Sequence, residues 1–454
     1  MDVKTRDPAG KENLVCPALV RAIYGRLISI DRVRLKRVSR EGGWIVAGQI
    51  ASVLGSLVLV RVLTAYLEPS QYGELALGLT IAGLVNQVVM GGLTNGIERY
   101  YSIAAECGDL SGYLKSALRL MGHATTAVGL ISLVLITGLL WAEKIQWLGL
   151  TAGVLVFSVL SGYNASLSGV QNAARQRSIV ALHSGLNAWL KIGLAVFVML
   201  IFGNSSMSVV VGYALSALLV TVSQLFFLKP LLQRQVNTKD SVADIEDWDR
   251  RIWSYSWPFS AWGIFTWAQL ASDRWALKTF VTTQDVGQYA VVFQLGYVPV
   301  GLVTGLAMSF LGPILFQRSG SGTDHNRNAS VHRMAWCITG LCLAVTGFAF
   351  LFTFFLNGWL FELLVAAPFR ASSHLLPWVV LAGGLFAAGQ MLSLKLMSEM
   401  NASAMTTAKI VTALFGVGFN IFGAWYFGLS GVVVALLAFS ILYFCWMACL
   451  AQSV

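Results

Sequence analysis

The sequence predicts an all-α integral membrane protein that crosses the bilayer many times. Hydrophobic residues make up 56% of the 454 residues and charged residues only 11%, whereas a soluble globular chain carries about a quarter charged residues. Apolar runs recur along the chain at close to the roughly 20 residues that one membrane-spanning helix requires. Only helices and closed barrels satisfy their backbone hydrogen bonds in hydrocarbon, and long apolar runs indicate helices.

The apolar runs predict twelve transmembrane helices in two lobes of six. The first six lie near 43–66, 73–96, 117–141, 147–170, 179–202 and 206–229, and the second six near 252–280, 286–311, 334–357, 374–397, 406–427 and 429–451. A polar, acidic cytoplasmic linker at 230–251 separates an N-terminal lobe at 43–229 from a C-terminal lobe at 252–454. The basic segment 1–42 predicts either an amphipathic helix on the membrane surface or a disordered tail.

The distribution of Lys and Arg predicts the orientation, because cytoplasmic loops carry an excess of these residues. With the N-terminus in the cytoplasm, 25 of the 31 Lys and Arg residues fall on the cytoplasmic side and 3 on the outer side. The remaining three, Arg61, Lys191 and Arg274, lie inside spans. We therefore predict that both termini are cytoplasmic, and that the net charge of +10 reflects contact with membrane lipids and not with nucleic acid.

A weak internal repeat relates the two predicted lobes. The run that begins Gly73-Glu74-Leu75-Ala76 is followed 214 positions later by Gly287-Gln288-Tyr289-Ala290. Because each lobe has an even number of spans, both enter the membrane in the same direction. Parallel repeats of this kind place the substrate between the lobes and work by rocking. The sequence thus predicts two six-helix lobes with the substrate at the interface between them.

Charged residues inside the spans are the candidate site residues, since a charge at the bilayer centre costs about 2.5–3.5 kcal/mol on insertion scales. Lys191 lies near the middle of its span, and Ser184, Asn187 and Lys191 share one helix face. This stripe predicts that Asn187 and Lys191 face a cavity and bind substrate. The alternative is a lysine buried against a neighbouring carbonyl or carboxylate.

Arg61 and Arg274 lie at similar depths in the outer halves of spans one and seven. If the repeat holds, they face each other across the lobes, where a planar guanidinium matches phosphate oxygens bidentately. The alternative is that both snorkel to the outer interface. Adjacent residues on a helix do not face each other, so Asp273 is expected to pair with Lys191 or Arg61, or to carry a coupling proton or sodium ion.

Two further features bear on chemistry. Trp262 and Trp267 lie deep in span seven, where they either pack or stack on sugar rings. The six cysteines are scattered, and no glycine loop with a phosphate-binding lysine is present, so neither a metal nor a cofactor is expected.

Several short motifs resemble one family of membrane proteins. They begin with Val60-Arg61-Val62-Leu63, Pro69-Ser70-Gln71-Tyr72-Gly73, Gly91-Gly92-Leu93-Thr94-Asn95 and Arg99-Tyr100-Tyr101, and continue with Ser272-Asp273-Arg274, Val286-Gly287-Gln288-Tyr289 and Phe427-Gly428-Leu429-Ser430-Gly431. In order and spacing they resemble the polysaccharide biosynthesis proteins, the Wzx-type flippases of the multidrug/oligosaccharidyl-lipid/polysaccharide exporter superfamily. The resemblance covers most of the chain from about residue 40 onward.

The resemblance implies a V-shaped bundle of two six-helix lobes around a central cavity. It also implies that the protein moves an undecaprenyl-pyrophosphate-linked glycan to the outer leaflet of a bacterial inner membrane by alternating access. The cargo would be a repeat unit of O-antigen, capsule or exopolysaccharide, and the partners a polysaccharide polymerase and chain-length proteins. The related peptidoglycan-precursor flippases have two further spans and an early arginine-rich pattern. This chain has Gln49, Ser52 and Ser56 there, so that cargo is not expected.

Two other functions compete with the flippase. A drug/cation antiporter of the same superfamily needs acidic residues in its cavity, but three basic residues and one acidic residue are predicted inside the spans. A membrane polysaccharide polymerase or glycosyltransferase needs a sizeable outer loop or a cytosolic catalytic domain, which the predicted spans leave no room for. An enzyme is therefore not expected.

Overall fold

A computed structural model describes residues 32–236, 247–319, 325–398 and 402–453. These residues form twelve α-helices, which we number α1 to α12. The first half of the chain contains α1 Arg32–Tyr66, α2 Pro69–Leu84, α3 Gly92–Glu106, α4 Leu110–Trp141, α5 Leu148–Ala173, α6 Arg177–Phe202 and α7 Ser206–Val236. The second half contains α8 Trp248–Phe280, α9 Thr283–Ser319, α10 His325–Leu364, α11 Leu376–Ser398 and α12 Ala402–Ser453.

Short irregular helices complete several of these elements. A π-helical segment at Val85–Gly91 joins α2 and α3 into one continuous rod. Single 3₁₀ segments at Ile145–Trp147 and Ala367–Leu375 precede α5 and α11. Because π-helical turns inside α-helices often mark functional positions, the segment at Val85–Gly91 is a structural clue to the site.

Ten helical stretches of the described chain are long and apolar enough to cross a membrane. They are Gly42–Tyr66, Pro69–Glu106, Leu110–Trp141, Ile145–Ala173, Arg177–Phe202, Ser206–Lys229, Thr283–Met308, Ala329–Leu364, Ala367–Met397 and Met405–Gln452. The protein is therefore a multi-pass, all-helical membrane protein.

The ten stretches differ from the twelve predicted spans at two places. Helix α8 is not among them, because the many Trp, Ser and Tyr residues in its uncharged stretch 252–272 lower its mean hydropathy. The stretch Met405–Gln452 covers two predicted spans, 406–427 and 429–451. Between them Gly428 has φ 58° and ψ −135°, a backbone conformation that favours glycine and breaks the helix direction.

The largest cluster of buried apolar side chains extends across both halves of the chain. It includes Val60 and Leu75 from the first half and Val291 and Phe369 from the second. Every one of these four is at most 2% exposed. The halves thus share a packed core and do not merely touch at their surfaces.

The halves approach closely at the start of α2 and α9, at a contact that we call the glycine crossing. A side chain on Gly73 would overlap the carbonyl oxygen of Thr283, and a side chain on Gly287 would overlap the carbonyl oxygen of Pro69. Thr283 and Gly287 follow Pro69 and Gly73 by 214 positions each. The predicted repeat motif therefore forms a reciprocal contact between backbones, which only glycine permits.

Two further contacts close the same end of the molecule. The main-chain N–H of Ala366 donates to Thr64 Oγ1 at 3.2 Å, and the rings of Tyr72 and Phe369 meet edge to face at 5.6 Å. Both contacts join the first half to the second.

At the opposite end, α8 begins inside a pocket of the first half. Trp248 is 2% exposed, its Nε1 donates to Asp109 Oδ2 at 2.8 Å, and its ring meets Tyr113 edge to face at 5.9 Å. Arg119 and Asp249 form an ion pair at 2.7 Å beside it. The predicted linker 230–251 is thus partly helical, since α7 ends at Val236 and α8 begins at Trp248; 237–246, like residues 1–31, lie outside the described chain.

Candidate functional site

A cavity of about 380 Å³ lies between the two halves, and we call it the cationic cavity. The first half contributes residues of α1, α2, α5, α6 and α7 to its wall, and the second half residues of α8 and α9. Among the described residues that line it, Lys191 and Arg274 are the charged ones, and both are basic. The remaining wall is mainly apolar and aromatic, with the amides of Gln87 and Gln294.

Lys191 enters the cavity from α6, where the sequence predicted a cavity-facing lysine. Its Nζ lies 5.3 Å from the centroid of the Phe157 ring and 5.6 Å from that of Tyr213. Aromatic faces attract an ammonium group electrostatically. No carboxylate or carbonyl of the described chain bonds to the ammonium, so its three donor hydrogens are free for a ligand.

Arg274 enters the cavity from α8, and several contacts fix its guanidinium. Its Nη1 donates to the Leu270 carbonyl at 2.9 Å, and Cζ lies 4.7 Å from the centroid of the Phe293 ring. Its side chain is 14% exposed. An arginine has five N–H donors, so the contacts that hold the group in place leave donors for an anion in the cavity.

Asp273 lies behind Arg274 and is not part of the cavity wall. Its Oδ2 accepts a hydrogen bond from the Tyr289 hydroxyl at 2.7 Å. Its Oδ1 accepts from the main-chain N–H of Arg274 at 2.6 Å and lies 3.3 Å from Arg274 Nη1. The prediction that Asp273 pairs with Lys191 or Arg61 is wrong, because the long arginine side chain folds back onto its neighbour.

Two of the predicted site residues do not reach the cavity. Asn187 Oδ1 accepts from Ser216 Oγ at 3.2 Å, inside the first half. Arg61 is exposed on α1, while its neighbours Val60 and Leu63 line the cavity. Since successive residues on a helix point about 100° apart, Arg61 faces away. The expectation that Arg61 faces Arg274 is wrong, and Lys191 is the second cation of the cavity.

Sequence reasoning missed Gln87 by considering charged residues first. Gln87 lies in the π-helical segment and lines the cavity. Its Oε1 is buried and has no hydrogen-bond partner among the described residues. A buried acceptor without a partner costs about 1–3 kcal/mol, so a hydrogen bond supplied by a ligand would offset this cost. The adjacent amides of Asn86 and Gln87 in the middle of an apolar span were the signal in the sequence.

The tryptophans of α8 tie the second half to the first. Trp267 lines the cavity, and its Nε1 donates to the Thr80 carbonyl at 2.7 Å. Trp275 Nε1 donates to Thr80 Oγ1 at 2.9 Å. Both indoles are thus used to join α8 to α2, which favours packing over sugar stacking for Trp267.

Two of the lysines that the sequence analysis assigned to the cytoplasmic side lie within the helix bundle. Lys409 Nζ lies 4.7 Å from the centroid of the Trp262 ring. Lys395 is 1% exposed and donates from Nζ to the Ala451 carbonyl at 2.7 Å.

Within the described ranges, no group of three His, Cys, Asp or Glu side chains is placed to hold a metal ion.

Comparison with solved structures shows the same fold in transporters. The lipid II flippase MurJ in an inward closed conformation aligns with a TM-score of 0.65 at 10% identity, covering 90% of this chain and 87% of that chain. An inward-facing multidrug resistance MATE family transporter of the MOP superfamily gives 0.61 at 16% identity, covering 89% and 95%. A point mutant of the Vibrio cholerae MATE transporter VcmN gives 0.60 at 16% identity, covering 91% and 97%.

The sequence comparisons give the family. A comparison with curated proteins gives no match. The model of a family described as polysaccharide biosynthesis protein matches residues 38–319, which is more than half of the chain. The solved structures named above, which share this fold, are a flippase and two transporters. The chain is a member of the polysaccharide biosynthesis protein family, with the fold of the MOP-superfamily flippases and transporters.

Proposed function

We propose that this protein is a flippase that moves an undecaprenyl-pyrophosphate-linked oligosaccharide from the inner to the outer leaflet of a bacterial inner membrane. The observation that carries the proposal is the charge of the cavity, where Lys191 and Arg274 are present and acidic side chains are absent from the described lining. A pyrophosphate loses its hydration when it crosses a membrane. Two cations in a low-dielectric cavity offset that loss.

The two cations play different parts in this proposal. Arg274 is fixed by Leu270, Asp273 and Phe293, so it offers a positioned fork of donors that suits phosphate oxygens. Lys191 is held only by aromatic faces, so its flexible ammonium can follow the phosphate. Part of the Arg274 charge is offset by Asp273, and the net attraction for an anion depends mainly on Lys191.

We propose that the chain crosses the membrane twelve times, in two six-helix lobes. Ten stretches meet the criteria of length and apolarity. Helix α8 is long enough at 33 residues to be a further span, and Gly428 divides Met405–Gln452 into two. The glycine crossing supports a pseudo-two-fold axis between the lobes, because the contacting residues are equivalent in the repeat.

We propose alternating access with both termini in the cytoplasm, as the Lys and Arg distribution indicates. In that orientation the glycine crossing lies at the outer surface, and the described state is closed to the outside. Transport then requires Gly73 and Gly287 to separate. A polysaccharide polymerase that takes up the flipped repeat unit is the expected partner.

The alternative, a drug/cation antiporter, is supported by the fold shared with MATE transporters and opposed by the cavity charge. Deletion of the gene in its native host separates the two functions. The flippase predicts accumulation of undecaprenyl-linked repeat units and loss of surface polysaccharide. The wild-type protein should restore the polysaccharide fully, Lys191→Arg in part, and Lys191→Gln poorly. Normal surface glycan with new sensitivity to cationic drugs would instead identify an antiporter.

A further inference from the structure

A second cavity of about 600 Å³ lies next to the cationic cavity, and we call it the amide chamber. Its wall includes Asn86, Gln87, Asn95, Thr266, Phe259 and Trp262. Gln87 lines both cavities. A ligand that extends from one cavity to the other therefore passes the Gln87 side chain.

The amide chamber differs from the cationic cavity in its chemistry. Among the described residues that line it, none is charged. Amides and hydroxyls both donate and accept hydrogen bonds, and aromatic rings present broad apolar faces. A sugar ring has the complementary set of groups, since its hydroxyls donate and accept and its C–H faces are apolar.

Several of these side chains are held in place before any ligand binds. Asn86 Nδ2 donates to Ser161 Oγ at 2.8 Å, and Lys409 lies over the Trp262 ring. At Gly263 an added Cβ would lie 2.6 Å from the Gln87 carbonyl oxygen, so α8 fixes the backbone of the π-helical segment. Side chains held before binding lose less conformational freedom when a ligand binds.

Two observations exclude other ligands. A polyprenyl chain would leave the Gln87 Oε1 without a hydrogen-bond partner, which costs free energy in an apolar environment. Lys409 Nζ already lies 4.7 Å from the centroid of the Trp262 ring. Its positive charge would repel an organic cation that approached the same ring. A neutral polar ligand fits both the amides and the aromatic rings.

We propose that the amide chamber binds the sugar adjacent to the pyrophosphate, while the cationic cavity binds the pyrophosphate itself. The inference rests on the proposed function and adds a subsite for the carbohydrate. The unpartnered Oε1 of Gln87 accepts a hydrogen bond from a hydroxyl or amide of that sugar. Affinity for the sugar and affinity for the phosphate therefore depend on different residues.

The test compares two soluble analogues, farnesyl pyrophosphate and farnesyl-pyrophosphoryl-N-acetylglucosamine, in binding to the purified full-length chain in detergent. Trp262→Leu and Asn95→Ala should each weaken binding of the glycosylated analogue by about tenfold, the equivalent of one or two lost hydrogen bonds or stacking contacts. Binding of farnesyl pyrophosphate should stay within about twofold, since its phosphates contact other residues. Trp257→Leu, at an exposed position of the same helix, serves as the matched control.

Lys191→Gln separates failure of this inference from failure of the proposed function. It should weaken binding of both analogues. Suppose that Lys191→Gln weakens binding of both analogues, but Trp262→Leu and Asn95→Ala change binding of both analogues equally or of neither. The proposed sugar subsite is then wrong, while the proposed flippase function is retained. If neither analogue binds the wild-type protein, the proposed function and the inference that rests on it are both overturned. Elution volume in size-exclusion chromatography confirms that each variant is folded.

Discussion

Gly73 and Gly287 pack against each other where α2 crosses α9, and each leaves room for a carbonyl oxygen of the opposite helix. The two glycines occupy equivalent positions of the internal repeat. Backbones that approach this closely gain van der Waals contact over a large area, as is usual for small residues between membrane helices. If alternating access operates as proposed, Gly73 and Gly287 must separate before substrate can leave at this end.

A larger residue at the glycine crossing should force α2 and α9 apart. Gly73→Leu is expected to destabilise this closed state by about 1–3 kcal/mol, the usual cost of overpacking. The melting temperature of the purified protein should fall, and a cysteine pair placed across the crossing should cross-link more slowly. Gly301→Leu is the control, since Gly301 lies in α9 with no atom near its added Cβ. Equal behaviour of the two variants would contradict a tight crossing.

Removal of the Lys191 charge should impair transport strongly and affect folding little. Lys191→Gln keeps a polar side chain of similar length but removes the charge that faces the cavity. We expect complementation of a deletion strain by Lys191→Gln to fall at least about tenfold, the effect of losing one charge-assisted hydrogen bond. Lys191→Arg keeps the positive charge and should retain part of the complementation. Lys229→Gln, at an exposed position in the C-terminal part of α7, should complement fully. Normal complementation by Lys191→Gln would remove the cation from the transport mechanism.

Arg61 and Arg274 should differ in mutagenesis although they occupy similar depths. Arg61 is exposed and Arg274 lines the cavity. Arg274→Gln is therefore expected to reduce surface polysaccharide strongly, and Arg61→Gln to leave it near the wild-type level. Protein amount in the membrane is measured by immunoblot in both strains. The opposite pattern would show that the phosphate passes along α1 and not through the cavity.

The hydrogen bond from Tyr289 to Asp273 should contribute to stability. Both residues are buried, at 0% and 2% exposed, so Tyr289→Phe leaves a carboxylate oxygen without its partner. We expect a loss of about 1–3 kcal/mol, seen as a lower melting temperature. Tyr426→Phe, at a residue that is 57% exposed on α12, should have no effect. A Tyr289→Phe protein as stable as the wild type would mean that Asp273 is satisfied by Arg274 alone.

The anchor of α8 in the first half should matter more than its surface ion pair. Trp248→Ala removes a buried aromatic side chain and is expected to cost about 3–5 kcal/mol. Trp253→Ala, on the same helix but 56% exposed, should be nearly neutral in the same thermal unfolding experiment. Asp249→Asn breaks an ion pair whose side chains are 60% and 28% exposed, and such pairs contribute about 0–1 kcal/mol.

The sequence was sufficient for the membrane class and the repeat, because both depend on simple periodic signals. Apolar runs and the Gly73 and Gly287 motifs can be read without knowledge of packing. The position of Lys191 in the cavity wall followed from its depth and its polar helix face. Family membership followed from the order of short motifs along the chain.

The errors of the sequence interpretation have a common physical cause. Depth along a helix can be read from sequence, but the direction that a side chain faces depends on how helices pack. Arg61 and Arg274 have similar depths, yet a rotation of one residue separates the exposed position 61 from the cavity-lining position 60. Gln87 was missed because a neutral amide gives a weaker signal than a charge, and Lys409 because it lies near a predicted span boundary.

The most direct measurement of the central claim is translocation in proteoliposomes that contain the purified full-length protein. A fluorescent polyprenyl-pyrophosphate-linked glycan is placed in both leaflets, and a membrane-impermeant quencher reports the label that reaches the outside. The account predicts that the wild-type protein makes nearly all label accessible, and that Lys191→Gln slows this strongly while Arg61→Gln does not. Equal rates for empty liposomes and wild-type proteoliposomes, or for wild type and Lys191→Gln, would contradict a cation-lined pathway for the pyrophosphate.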